Sequence, residues 1–71
     1  MPLTMASAGE TKQIKKVGGK EDVRRHLENL GFVTGTDVTV VSQLGGNVIV
    51  NVKDSRIAIS SEMANRIRSE E

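Results

Sequence analysis

In "KEDVRRHLENLGFVTGTDVTVV", residues 20–41, one apolar period gives way to another. Val23, Leu27 and Leu30 fall at i, i+4 and i+7, the spacing of one helix face, whereas Val38 and Val40 alternate as on a strand with one buried side. Glu21 and Asp22 stand in the first helical turn, where the helix dipole favours negative charge. Gly31 follows the last periodic residue, in the place of a C-terminal cap. The stretch therefore predicts a helix over 20–31, a glycine joint and the start of a sheet. At about 100° per residue, Glu21, Arg24, Arg25 and Glu28 share the face opposite the apolar stripe, and His26 borders that stripe.

Working outward, "NVIVNV" (47–52) sends Val48, Val50 and Val52 to one face, and "RIAIS" (56–60) points Ile57 and Ile59 together. Gly45-Gly46 reads as a hairpin connection, because glycine reaches positive φ without steric cost. Asp54-Ser55 reads as a second tight turn. Upstream, "TKQIKKV" (11–17) is an edge-like strand stopped by Gly18-Gly19, and Ile14 and Val17 are three apart, which predicts a bulge or an early end near Lys16. The tail "SSEMANRIRSEE" (60–71) begins with Ser60 or Ser61 as an N-cap, makes about one turn of helix and returns Ile67 to the sheet, with 67–71 expected to fray. These elements predict a mainly β domain over 1–71: a small, strongly bent antiparallel barrel with one α-helix between its first two strands and a short helical turn near the C-terminus.

A chain of 71 residues buries only roughly 60% of its unfolded surface. A deep cleft or separate substrate domain is thus disfavoured, and marginal stability or self-association is expected. The absence of cysteine excludes disulfides, thiolate metal sites and a cysteine nucleophile. "NVIVNV" is far short of the roughly 18 apolar residues of a membrane span, and "MPLTMASAGETK" lacks an apolar signal core, so a soluble intracellular domain without membrane insertion is expected. A net charge of +1 marks no strong nucleic-acid binder. Six of the ten basic residues (Lys12, Lys15, Lys16, Lys20, Arg24 and Arg25) nevertheless gather in the first third. Single-strand binding would add stacking aromatics, and Phe32 is the sole aromatic residue. Polyproline recognition fails for the same reason.

No catalytic constellation and no metal-ligand set is legible, and no cofactor is expected. His26, the single imidazole, has no HxxxH partner and reads as a helix-flank residue. Gly18-Gly19 before Lys20 lacks the other positions of a phosphate-binding loop and reads as a turn. Arg24 and Arg25 are open to three readings. They are a pair for a partner, an arginine finger toward a nucleotide triphosphate, or ordinary surface ion pairs with Glu28 and Glu21, each about 0.2–0.5 kcal/mol.

The run Arg24 to Val41 resembles the signature of the ferrous iron transport protein A (FeoA) family: an arginine-bearing helix, Leu27, Leu30-Gly31, Phe32, Gly35 and the valines Val38, Val40 and Val41. The resemblance extends upstream through Leu3 and Gly9-Glu10 to "IKKVGGK" and downstream through "RIAIS". Ala6, Ala8 and Met5 depart from the family's usual start, and Thr34 stands where a proline commonly precedes Gly35. The C-terminal SH3-like domain of iron-dependent repressors shares this scaffold. The resemblance implies an SH3-like barrel in the cytoplasm that accompanies the membrane ferrous iron permease FeoB. Together with the absence of a legible catalytic or iron-ligand set, the resemblance implies an accessory protein that docks on the permease's cytosolic portion and modulates uptake or assembly. The expected contacts are Arg24 and Arg25 on the helix, or the loop from Leu44 to Asn47. A metal-responsive module binding a divalent transition metal weakly through His26 and surface carboxylates, or a generic nucleic-acid-binding barrel, are the alternatives.

Overall fold

The computed structural model describes residues 2–69. Five strands, β1 (Thr11–Val17), β2 (Asp37–Leu44), β3 (Asn47–Val52), β4 (Ser55–Ser60) and β5 (Ile67–Ser69), form one antiparallel sheet in the order β4-β3-β2-β1-β5. A helix α1 (Glu21–Asn29) separates β1 from β2, and one turn of helix α2 (Ser61–Ala64) precedes β5. This is the expected small antiparallel barrel.

The sheet closes through β1. Its first half, Thr11 to Gln13, lies opposite Thr39 to Asp37 of β2; its second half, Ile14 to Val17, lies opposite Ser69 to Ile67 of β5. The register slips between Ile14 and Lys16, leaving Lys15 as the extra residue. That bulge lets Ile14 and Val17, three apart, both face the core, as their spacing predicted. The edge-like reading of β1 is corrected: β1 has a neighbour on each side, and the edges of the sheet are β4 and β5. Lys15 and Lys16 are exposed, whereas Lys12, paired across from buried Val38, is largely covered.

β2 runs three residues beyond the valine alternation, because Ser42, Gln43 and Leu44 pair with Ile49, Val48 and Asn47 past a second bulge at Val41. In the hairpin turn Gly45 has φ +57° and Gly46 does not share the positive sign, the φ pattern of a type II′ turn. The second turn is Lys53-Asp54 and not Asp54-Ser55, since Val52 pairs with Ser55. Both its residues are left-handed, φ +49° and +64°, the φ pattern of a type I′ turn whose twist matches the flanking strands.

Ser60 is the N-cap of α2, with its Oγ accepting the Met63 N–H at 3.2 Å. The fraying expected over 67–71 does not extend to 67–69: Ile67 is fully buried, Ser69 nearly so, and both pair with β1. Residues 70 and 71 lie outside the described part. The core gathers Phe32, Leu27, Ile14, Ile67 and the inward valines of β2 and β3. Each such side chain contributes about 1.5–3 kcal/mol when fully buried. Leu3 joins them from a single 3-10 turn, Leu3–Met5.

Candidate partner-binding surfaces

α1 begins without a side-chain cap hydrogen bond at Lys20, with Glu21 and Asp22 in its first turn. Leu27 is fully buried and Val23 and Leu30 are half-buried against the core, so the apolar stripe sits as its spacing predicted. The helix stops at a paired-bond cap: the Gly31 N–H donates to the Glu28 carbonyl at 3.0 Å and the Phe32 N–H to the Leu27 carbonyl at 3.0 Å. Gly31 has φ +109°, which a side chain resists. The chain then turns back on β1, where the Gly35 N–H donates to the Ile14 carbonyl at 2.8 Å and the Ile14 N–H to the Thr36 carbonyl at 2.9 Å. Leu27, Gly31, Phe32 and Gly35 thus build a joint, and Val38 and Val40 continue from it into the core.

On the outer face of α1 the Arg25 Nη2 lies 2.8 Å from the Glu21 Oε1, both side chains about two-thirds or more exposed. An exposed helix pair of this kind stabilises by only about 0.2–0.5 kcal/mol. The companion pair expected between Arg24 and Glu28 is not formed among the described residues, and Arg24 stands exposed as a free cation. His26 is exposed, and no group of three or more His, Asp or Glu side chains among the described residues is gathered to hold a metal ion.

The second predicted surface is the β2–β3 hairpin tip. Leu44 is 64% exposed and pairs with exposed Asn47. The tip is held from two sides. The Ser61 N–H donates to the Gly46 carbonyl at 2.7 Å, and the Gln43 Nε2 donates to the Thr4 and Ala6 carbonyls at 3.1 Å each. Between those two carbonyls lies Met5, 69% exposed, a second large apolar side chain that the sequence does not single out because no periodicity surrounds it. The Gly31 joint lies beside Val52 and Lys53, at the opposite end of β3 from Asn47. At about 3.3 Å per residue along β3, the C-terminal end of α1 and the hairpin tip are two separate surfaces.

Neither includes the open hollow of about 630 Å³ lined by Asp37, Thr39, Asn51, Lys53, Asp54 and Arg56. Cross-strand register makes it: Thr39, Asn51 and Arg56 are successive partners across β2, β3 and β4. The row continues to Thr11, whose Oγ1 is 2.8 Å from that of Thr39. Two carboxylates and two cations offset one another there, so the hollow is polar without a dominant sign. Near the N-terminal turn, Glu10 accepts the Ser7 N–H at 2.5 Å and lies 3.5 Å from the Lys12 ammonium. The backbone hydrogen bond first, and the lysine second, hold its carboxyl below the ordinary value of 4.5.

Comparison with known proteins matches the FeoA domain over residues 1–71. A Methanocaldococcus jannaschii protein named for Fe(2+) transport, transport protein A, is 31% identical over 70 residues, covering 99% of this chain and 85% of the relative. The crystal structure of Stenotrophomonas maltophilia FeoA, a procaryotic SH3 domain protein complexed with zinc, superposes with a TM-score of 0.87 at 25% identity, over 99% of this chain and 89% of that one. A manganese-dependent transcriptional repressor shares the fold alone, with a TM-score of 0.86 at 16% identity over 94% of this chain and 39% of the repressor.

Proposed function

The chain belongs to the FeoA family of ferrous iron transport accessory proteins, and from that premise we propose that it docks on the cytosolic portion of the membrane iron permease FeoB and modulates iron uptake or assembly of the permease. The observation that carries this reading is the family match across residues 1–71. The S. maltophilia relative, put forward as a ferrous iron transport activating factor, supports it. The two surfaces offer different chemistry. Arg24 presents an unpaired cation beside the weakly engaged Arg25, suited to an acidic segment. The hairpin tip presents Leu44 beside Asn47, an apolar contact with polar company.

Titrating the isotope-labelled protein with the permease's cytosolic portion is the direct test. Resonance shifts are expected on one face, either around Arg24 and Arg25 or around Leu44 to Asn47. Absence of shifts at high concentration, together with failure to bind intact membrane permease, removes the proposal.

A further inference from the structure

The two edges of the sheet are not equivalent. β5 is three residues long, and Pro2 forms a bridge with Arg68 at its side. A short strand and a proline are both devices that protect an edge from further pairing. β4 is six residues long and contains no proline and no bulge. Its pairing phase follows from the two-residue Lys53-Asp54 turn, which makes Val52 and Ser55 a hydrogen-bonded pair and, by alternation, Val50 with Ile57 and Val48 with Ile59. The N–H and C=O groups of Arg56 and Ala58 therefore point away from β3. Both residues are exposed, and no hydrogen bond to these groups is formed among the described residues.

We infer that the free edge of β4 pairs antiparallel with β4 of a second copy of this chain, about a two-fold axis through Ile57. The strand is self-complementary in this register. Arg56 and Ala58 are the outward pair, so Arg56 of each copy meets Ala58 of the other and exchanges both backbone hydrogen bonds with it. The two arginines are kept from standing directly opposite each other, and the small Ala58 leaves room for the long side chain. Ile57, half-buried and packed against the core from one side, meets its own symmetry mate. A shift of the register by two residues sets Ser60, where the strand ends and α2 is capped, opposite Arg56, or, in the other direction, sets Arg56 opposite its own symmetry mate. The register centred on Ile57 avoids both. Such a contact is isologous and closes on itself, consistent with a dimer and not a fibre.

Sedimentation equilibrium over a concentration series into the millimolar range tests this, with circular dichroism showing that each variant is folded. The wild-type chain is expected to interconvert between monomer and dimer. Ala58→Lys places like charges opposite each other and is expected to weaken the dimer at least tenfold. Ala58→Pro removes an outward N–H that β3 does not use and should do the same. The double variant Arg56→Glu/Ala58→Lys places opposite charges across the same pair and is expected to restore the dimer. A wild-type chain that stays monomeric throughout overturns the inference. So does dimerisation unaltered by Ala58→Lys, or a folded double variant that remains monomeric.

Discussion

At Gly31 one backbone angle decides how a helix becomes a strand. The nearest atoms to a Cβ built there belong to the Lys53 and Val52 side chains, at ordinary contact distances of 3.5–3.8 Å, so the obstacle to a side chain is φ +109° and not space. Gly31→Val is expected to cost about 1–3 kcal/mol, read as a lower urea midpoint with an unchanged slope. An unchanged midpoint would mean that the backbone relaxes without penalty. Glu10 carries a different kind of residue-scale consequence. Its carboxyl is held below its ordinary value in the folded state, chiefly by the Ser7 N–H. A lowered folded value stabilises above the unfolded carboxyl range, and that stabilisation is lost as pH falls through the lowered value. Wild type should therefore lose its advantage over Glu10→Gln on acidification. A stability difference that is flat across that range would contradict the assignment.

Among the elements, the β3–β4 hairpin is the one built against local preference. Lys53 and Asp54 both hold positive φ, which costs a side-chain-bearing residue roughly 1–2 kcal/mol. Replacing them with Asn-Gly, the favoured pair for this turn, is expected to raise stability by about 1 kcal/mol, measured as a higher thermal midpoint; a lower midpoint would show that the lysine or aspartate makes a compensating contact. The same turn explains what sequence reading could and could not deliver. α1, the Gly31 cap and the β2–β3–β4 meander were legible because helical period, strand period and glycine chemistry act over a few residues. The second turn was misplaced by one residue because Lys-Asp is not a signal for positive φ. β1 was misread as an edge because Lys15 and Lys16 report which side chains meet water, not whether the backbone has a partner. Leu3 has no periodic neighbours to reveal its burial. The hollow is invisible in any single strand, since it is composed across strands by register.

For the molecule as a whole, the partner surfaces separate what packing needs from what binding would use. Arg24 and Arg25 are exposed and join no buried contact. Their joint replacement by alanine is thus expected to shift stability by less than about 0.5 kcal/mol while weakening the proposed complex with the permease several-fold. Leu44→Ala at the hairpin tip is the comparison, and whichever variant loses affinity with its melting curve intact identifies the docking face. Retention of full affinity by both would remove these two surfaces from the proposal.

The sharing of β1 between β2 and β5 also orders events in time. Ile14, Lys16 and Val17 pair with Ser69, Arg68 and Ile67, so the barrel closes only when segments from the two ends of the chain meet. Closure waits for a pairing between strands far apart in the chain, a non-local step of the kind that slows folding. A chain released before that step would expose part of its core together with an unpaired strand, the state most vulnerable to proteases and to aggregation.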